Sequence, residues 1–275
     1  MKILILGAGK MGSFFTDLLS FDHEVAVMDN DPRRMRFIYN AQRFTDYEEV
    51  RAFEPEMLIN CVTLSYTVSA FEKVMPYLPK TCILSDIASV KTGLMEYYEA
   101  TGMRYVSVHP MFGPTFANLG NLQTENAIII NEPAVRERMA DGSTVTAVRG
   151  TDYMGMVFFR DIFNRLKLNV CEYTFNGHDE VVAYSLSIPF ASTLVFGSIM
   201  KHQDAPGTTF KKHMAIANGL MSEDDYLLQE VLFNPYTEGE LQNIIDRIGL
   251  LKKIVHEKDA AGMKQFLETV RNNIK

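Results

Sequence analysis

The sequence predicts an α/β fold, in which a parallel sheet covered by helices on both faces is followed by an all-helical region. Three observations carry this prediction. The first 28 residues have the order strand, glycine-rich turn, helix and strand. Apolar runs of strand length then alternate with amphipathic segments as far as residue 173. Beyond residue 177, only helical periodicity remains.

The first unit is a βαβ arrangement. Residues 3–6 (ILIL) form a short apolar run that stops at a glycine, as a buried parallel strand does. Residues 11–19 place apolar side chains at helical spacing, and residues 24–28 (EVAVM) predict a second strand. Further strands are predicted at 57–62, 81–85, 104–108, 127–131 and 168–173. Helices are predicted between them at 66–75, 91–100 and 152–166.

A domain boundary is predicted where the alternation ends, at the Asn176-Gly177 loop signal. This gives a domain of residues 1–175 and a helical domain of residues 176–275. Helices are predicted at 178–200, 211–219, 223–233 and 237–273, the last with a break near 256–260.

The helical domain contains an unusually apolar segment. Residues 185–200 carry no charge, and a helix that is apolar all round must be buried all round. Because a domain of about 100 residues offers little room for that, we expect the segment to be buried between two copies of the chain, in a homodimer.

Composition excludes several classes of protein. The 275 residues include 27 Lys and Arg against 34 Asp and Glu, a net charge of −7, which disfavours a general nucleic-acid surface. No run approaches the ~20 apolar residues of a membrane span, and the N-terminus lacks the features of a signal peptide. The three cysteines show no metal-ligand spacing and fit free thiols in a reducing compartment. We therefore expect a cytoplasmic protein without a metal.

The turn after the first strand has the GxGxxG pattern of a dinucleotide site. The first glycine permits a tight turn, the second lets a pyrophosphate approach the backbone, and the third lets helix and strand pack closely. Asp29 ends the second predicted strand, where a carboxylate can accept both ribose hydroxyls of NAD and would repel the 2′-phosphate of NADP. The predicted cofactor is NAD, although Arg33 and Arg34 lie where an arginine could bind a 2′-phosphate. The predicted cofactor-binding residues are Gly7, Ala8, Gly9, Lys10, Met11, Gly12 and Asp29.

Two further segments follow predicted strands. Residues 86–91 (DIASVK) follow one strand, and residues 109–114 (HPMFGP), with a Gly113-Pro114 turn, follow the next. Ligands of open α/β sheets bind beyond the carboxyl ends of the strands, so both segments are expected at the nicotinamide edge. His109 precedes a proline, which favours an extended backbone there.

In these strings the sequence resembles the prephenate dehydrogenase family, which includes arogenate dehydrogenases. The matching stretches are CILSDIASVKTG (82–93) and VHPMFGP (108–114), with the dinucleotide pattern upstream and the pair His178-Asp179 downstream. The resemblance extends over essentially the whole chain, including the change from an α/β to a helical domain.

The resemblance implies the NAD-dependent oxidative decarboxylation of prephenate to 4-hydroxyphenylpyruvate in tyrosine biosynthesis, or the matching reaction of arogenate. The ring hydroxyl loses its proton, a hydride moves from C4 to NAD, and the ring carboxylate leaves as carbon dioxide. The family's catalytic histidine corresponds to His109, a residue type that can take a proton near pH 7. Ser89 is expected to hydrogen-bond that histidine or the substrate hydroxyl. Lys91 is expected either to place positive charge near the substrate or to support its loop.

The substrate-binding residues are less well matched. His178 either lies near the active site or orients the first helix of the second domain. The arginine with which the family binds a substrate carboxylate corresponds to Ala215 here, and the family's second substrate-recognition histidine is absent from SLSIPF (185–190). The nearby cations that could replace the arginine are Lys211, Lys212 and His213.

Two other functions stay open on the sequence alone. One is a different dehydrogenase with a Rossmann domain and a helical domain, of the β-hydroxyacid dehydrogenase or imine reductase type, which commonly uses a lysine from the helical domain. The other is a non-catalytic NAD-binding sensor, which would need Gly7, Gly9, Gly12 and Asp29 but not Ser89 and His109 together.

Overall fold

A computed structural model of the chain describes residues 1–113, 121–138 and 144–275. It divides into two compact units, Met1–Asp179 and Glu180–Lys275. The first unit contains the sheets and the second is helical, so the predicted fold class is confirmed.

The first unit is built on an eight-stranded sheet with the order β10-β7-β6-β5-β4-β1-β2-β3. Six of these strands, β1 to β6, run parallel to one another. β7 runs antiparallel to β6, and β10 runs parallel to β7, so these two strands have the opposite direction. A separate two-stranded sheet joins β8 and β9. The strands are β1 (Lys2–Leu6), β2 (Glu24–Met28), β3 (Gln42–Phe44), β4 (Met57–Asn60), β5 (Ile83–Asp86), β6 (Arg104–Pro110), β7 (Asn126–Ile130), β8 (Val135–Arg138), β9 (Thr144–Val148) and β10 (Asn169–Tyr173).

Helices cover both faces of the large sheet. Apolar side chains of α1 and α5 pack on one face, and those of α2, α3 and α4 pack on the other. The strands between them are apolar on both sides because both faces are covered. The helices of this unit are α1 (Lys10–Leu19), α2 (Tyr47–Phe53), α3 (Thr67–Val74), α4 (Leu94–Thr101) and α5 (Tyr153–Arg165).

The chain passes from the first unit to the second within a continuous helical stretch. This stretch consists of α6 (Phe175–Val182), a π-helical segment at Ala183–Ser187 and α7 (Ile188–Ile199). The predicted loop at Asn176-Gly177 is therefore wrong, because both residues lie in the first turn of α6. The remaining helices are α8 (Thr208–Leu220), α9 (Asp225–Leu232), α10 (Thr237–Glu257) and α11 (Ala260–Asn273).

The break predicted in the last long helix is present. Lys258 has a left-handed backbone (φ 51°) that ends α10, and the Asp259 carboxylate accepts hydrogen bonds from the N–H groups of Ala261 and Gly262 in the first turn of α11. The sequence signal was an Asp preceded by a lysine-rich helix end.

The apolar segment of residues 185–200 is only partly covered by its own chain. Val195 and Ile199 are exposed, whereas Ser187 and Ala191 are buried. By length and composition alone, the helical stretch Phe175–Ile199 could cross a membrane, and 22% of its most apolar window is buried within the chain. That is weak evidence for a membrane, since helices of non-membrane proteins pass the same test, and the first two turns of the stretch contain the polar residues His178, Asp179 and Glu180.

Candidate active site

The glycine-rich turn lies where the strand order reverses, between β1 and β4. In open α/β sheets such a switch point forms a crevice beyond the carboxyl ends of the strands. Here that crevice is a cavity of about 340 Å³, lined by residues that follow β1, β2 and β4, including Gly9, Asp29 and Thr63.

The three glycines of the turn serve different needs. Gly7 has a left-handed backbone (φ 91°), and a Cβ on Gly12 would lie 1.8 Å from the Gly7 carbonyl oxygen, so these two are required by the fold. At Gly9, by contrast, a Cβ would meet nothing within 4 Å. Packing does not explain a glycine there, whereas a ligand lying against the backbone does.

The start of α1 also fits an anionic ligand. Gly9 is the N-cap of α1, and no side chain caps it. The first N–H groups of a helix and its positive dipole end favour a phosphate. The residues present therefore fit the pyrophosphate of a dinucleotide.

Asp29 lies just after β2, on the wall of the same cavity. Its Oδ2 accepts a hydrogen bond from the Ala8 N–H at 2.7 Å, and its Oδ1 accepts one from the Asp31 N–H at 2.8 Å. Each carboxylate oxygen keeps a further lone pair, so the group can still accept from ribose hydroxyls. Arg33 pairs with Asp31 and is exposed, whereas Arg34 lines the cavity.

A buried ion pair supports the segment after β5. The Lys91 Nζ donates to Asp86 Oδ1 at 2.5 Å and to the Val108 carbonyl oxygen at 2.8 Å, and both charged side chains are fully buried. Tyr98 of α4 donates its hydroxyl to Asp86 Oδ2 at 2.6 Å. Burial lowers the pKa of Lys91, against the opposing effect of Asp86. Of the two roles expected for Lys91, this geometry favours the support of its loop and of β6.

Sequence reasoning missed Asp86 and Tyr98. The available signal was the carboxylate of Asp86 at the end of the apolar run CILSD, because a charge in a buried strand requires a partner. Lysine is almost never fully buried unless it is paired, so Lys91, five residues later, was the natural candidate.

His109 lies near the end of β6, in the extended conformation expected before Pro110. Its Nδ1 is 2.9 Å from Nε2 of His178 in α6, and both rings are buried. Burial lowers the pKa of His109 well below its usual range, and His178 and Lys91 act in the same direction. His109 is thus held neutral, the form that can accept a proton.

Asp179 continues this chain of polar groups. Its Oδ1 lies 2.9 Å from His178 Nδ1 and accepts the Lys91 N–H at 3.1 Å, while its Oδ2 accepts the Thr92 hydroxyl at 3.0 Å. Burial lowers the pKa of His178, and the hydrogen bond to Asp179 opposes that shift. We call His109, His178 and Asp179 the histidine chain.

The other predicted site residues lie elsewhere. Ser89 is half-buried in the segment after β5, and in the part of the chain that the structure describes the ring of His109 is bonded to His178 rather than to Ser89. Lys211, Lys212 and His213 are exposed on α8 of the helical unit, where Ala215 is exposed as well. Gly113 is described, but Pro114 of the predicted turn lies outside the described residues.

Comparison with known proteins bears on this arrangement. Residues 18–133 match the family model described as "Prephenate dehydrogenase, nucleotide-binding domain", a range that includes Asp29, Ser89, Lys91 and His109. A probable arogenate/prephenate dehydrogenase of Methanocaldococcus jannaschii is 20% identical over 240 residues, 82% of this chain and 49% of that protein. The chain thus spans about half the length of this curated relative.

Solved structures share the fold. The prephenate dehydrogenase of Aquifex aeolicus, in complex with hydroxyphenyl propionate and NAD+, aligns with a TM-score of 0.80 and 18% identity over 99% of this chain and 96% of that one. The arogenate dehydrogenase of Synechocystis aligns with a TM-score of 0.75 and 15% identity over 99% of this chain and 98% of that one. The resemblance predicted from the sequence is confirmed.

Proposed function

We propose that this chain is an NAD-dependent dehydrogenase that oxidatively decarboxylates prephenate to 4-hydroxyphenylpyruvate, since residues 18–133 match the model of the prephenate dehydrogenase nucleotide-binding domain. The observation that carries the proposal is His109, a buried neutral histidine near the carboxyl end of β6. It lies three strands from the glycine-rich turn of β1, about 14 Å away at ~4.8 Å per strand.

The reaction requires a group that takes the proton of the ring hydroxyl. His109 would accept it as the C4–H bond breaks, and neutral imidazole is suited to that step near pH 7. Bound NAD would supply the hydride acceptor. We propose that Ser89 hydrogen-bonds the substrate hydroxyl, because Nδ1 of His109 already has His178 as its partner and the other ring nitrogen of His109 has to accept the substrate proton.

The cofactor proposal depends on the glycine-rich turn and Asp29. The open space at Gly9 and the uncapped start of α1 support pyrophosphate binding by residues 7–12. Asp29 supports NAD over NADP, because its carboxylate would repel a 2′-phosphate. The pairing of Arg33 with Asp31 removes one of the two arginines that would favour NADP.

The substrate has two carboxylates, and leaving either unpaired in a closed site would cost several kcal/mol. We propose Lys211, Lys212 and His213 as the cations that replace the missing arginine. Replacement of both lysines by alanine should raise KM for the substrate about tenfold or more, with kcat changed less, as expected when binding common to the ground and transition states is lost. An unchanged KM would remove them from the site.

Turnover assays test the proposed function directly. The protein is mixed with NAD and prephenate, and separately with NAD and arogenate, while the absorbance of NADH is followed. NADH formation with prephenate supports the proposal, and a clear preference for arogenate assigns the alternative substrate. Binding of NAD without turnover of either compound would favour the non-catalytic sensor.

We also propose that the chain forms a homodimer through the segment 185–200. Its support is an uncharged helix of which Val195 and Ile199 stay exposed on one chain. Light scattering at micromolar concentration should give twice the chain mass of 31.2 kDa. A monomer, or a requirement for detergent, would contradict this proposal.

A further inference from the structure

The two residues behind His109 form the strongest unassigned feature of the site. We propose that His178 and Asp179 act on the reaction through His109, as positioning residues that fix its tautomer and stabilise its ring while it holds the substrate proton. The inference rests on the proposed function for the identity of the substrate, and on the geometry of the histidine chain for the rest.

The hydrogen-bond partners determine which nitrogens carry hydrogen. A carboxylate only accepts hydrogen bonds, so the His178 nitrogen at 2.9 Å from Asp179, Nδ1, must be the donor. A neutral His178 then has its lone pair on Nε2 and accepts from Nδ1–H of His109, at 2.9 Å. His109 is left with the lone pair on Nε2. The chain therefore selects the tautomer in which Nε2 is the base.

Asp179, at the far end of the histidine chain, is held by hydrogen bonds that do not involve the two rings. Asp179 accepts the backbone N–H of Lys91 and the hydroxyl of Thr92, both in the segment that follows β5. That segment also carries Lys91, which is bonded to the carbonyl oxygen of Val108, next to His109. Asp179 and the strand that carries His109 are therefore both held by the segment after β5. His178 bridges Asp179 and His109, and its two hydrogen bonds fix the orientation of its ring.

Proton balance explains why such a support would help. The O–H bond of the substrate hydroxyl breaks and a new N–H bond forms at Nε2 of His109. The C4–H bond breaks as well, and its hydride would pass to bound NAD, so that the electron pair of the O–H bond forms a carbonyl at C4. When the ring carboxylate leaves as carbon dioxide, the electron pair of its bond to the ring passes into the ring and makes the C4 oxygen a phenolate. That oxygen then takes back the proton from Nε2. His109 must consequently carry a positive charge between the two transfers.

The surroundings of His109 oppose that charge unless an anion compensates. Burial, the neighbouring His178 ring and the Lys91 ammonium all lower the pKa of His109, and Asp86 is already paired with that lysine. His178 passes a hydrogen bond from His109 to Asp179, so the carboxylate supplies negative charge at the far end of the chain. The same logic applies when an aspartate stabilises the imidazolium of a catalytic histidine in other enzymes.

The alternative is that Asp179 only holds the segment after β5 in place. Asp179→Asn separates the two roles because the amide keeps the shape and an acceptor oxygen but has no charge. We expect kcat to fall ~10- to 100-fold with KM changed less than about twofold. The acid limb of the profile of kcat/KM against pH should move to lower pH, since His109 becomes less basic.

Replacements of His178 extend the test. His178→Leu removes the acceptor for His109 Nδ1–H and should cost ~100-fold or more in kcat, and His178→Gln, which returns an acceptor oxygen, should recover part of that loss. Matched controls are Glu180→Gln, the neighbouring acid on α6, and His202→Gln, both exposed, which should leave kcat unchanged. A loss of activity that tracks the folded fraction, with an unmoved acid limb, would overturn the inference.

A spectroscopic readout separates this inference from the proposed function. With imidazole nitrogens labelled with 15N, and His109→Asn used for assignment, the unliganded protein should show hydrogen on Nδ1 of His109 and none on Nε2. His178→Leu should give a mixture of tautomers. If the tautomer is as expected but neither prephenate nor arogenate is turned over, the proposed function fails and the histidine chain stands. Hydrogen on Nε2 of His109 in the wild type would contradict the proposed role of the histidine chain, even in an active enzyme.

Should Asp179→Asn or His178→Leu fail to fold, Thr92→Val provides a milder variant. It removes one hydrogen bond to Asp179 and keeps the charge. We expect a decrease in kcat of roughly threefold and an unmoved acid limb, because one of the hydrogen bonds that position Asp179 is lost while its charge is kept. A larger decrease in kcat than that caused by His178→Gln would contradict the inference and indicate that Asp179 acts by holding the segment after β5 in place.

Discussion

Two buried polar clusters lie side by side at the carboxyl edge of the sheet, and they differ in one respect. The cluster of Asp86, Lys91 and Tyr98 is closed, since each charged or hydroxyl group finds its partner within the protein. The histidine chain is open, since it is anchored at Asp179 and ends at a ring nitrogen of His109 for which the described residues provide no hydrogen bond. A closed cluster can only hold structure, whereas an open one can act on a ligand.

The comparison predicts that the closed cluster governs stability. Lys91→Met should lower the free energy of unfolding by about 3–5 kcal/mol, because it leaves the Asp86 carboxylate buried without its cation. The double variant Asp86→Asn/Lys91→Met should recover much of that loss, since neither charge of this pair is then buried. Denaturant unfolding of the three proteins measures both effects.

An exposed pair provides the control for that experiment. Arg51 and Glu48 pair on the surface, with more than half of each side chain exposed. Arg51→Met should therefore change the unfolding free energy by less than about 1 kcal/mol. Similar losses for Lys91→Met and Arg51→Met would remove the distinction between a buried support and a surface pair.

The open cluster should govern activity instead. His109→Asn is expected to lower kcat by at least ~10²-fold, because the group that takes the hydroxyl proton is lost. The Kd for NAD, measured by titration calorimetry, should stay within about twofold, because His109 lies three strands from the glycine-rich turn. Activity within a few-fold of the wild type would show that His109 has another role.

Replacement of Asp29, which lines the cavity beside the glycine-rich turn, should have a smaller effect. Asp29→Ser should weaken NAD binding about tenfold, the loss of ~1.4 kcal/mol expected when charged hydrogen bonds to ribose become neutral ones. The same change should narrow the preference over NADP. Competition between NAD and NADP at equal concentrations measures the ratio, and a wild-type preference for NADP would contradict the assignment of Asp29.

The histidine chain also predicts how stability depends on pH. Burial lowers the folded-state pKa of His109 and of His178, so below the unfolded value of about 6.5 the unfolded chain binds protons that the folded chain does not. Stability from these groups is therefore complete above that value and is lost as pH falls, by up to ~1.4 kcal/mol per pH unit for each histidine.

His109→Asn isolates one of these contributions. The variant should show a shallower fall in unfolding free energy between pH 6.5 and 5 than the wild type, when both are measured by denaturant unfolding. Identical slopes would show that His109 is protonated as readily in the folded protein as in the unfolded chain.

Much of the fold could be predicted from local patterns. The strands β1, β2, β4 and β5 begin or end within two residues of their predicted bounds because each is an apolar run between polar ones. The short strand β3 was not predicted, because two of its three residues are exposed and it has no apolar run. Helix α2 was also missed, although Asp46 and Glu49 form a capping box that the sequence displays. The reversed direction of β7 has no local signal, because a buried run reads the same either way.

The candidate site shows the same distinction between features with a local sequence signal and features without one. His109, Ser89 and the glycine-rich turn follow from their positions at strand ends, where ligands of parallel sheets bind. The contact of His109 with His178 joins residues 69 positions apart, and no spacing rule reaches that far. The sequence left His178 between an active-site and an orienting role, and only the folded chain shows its ring against His109.

The most direct test of the central claim, that His109 and the neighbouring dinucleotide site oxidise a ring alcohol, is a stoichiometry measurement. Prephenate deuterated at C4 is incubated with NAD, and carbon dioxide, reduced cofactor and the deuterium content of that cofactor are measured together. We predict one carbon dioxide and one deuterated NADH for each prephenate consumed, and loss of both with His109→Asn. Bound NAD that is never reduced by prephenate or arogenate, or NADH formed at an undiminished rate by His109→Asn, would contradict it.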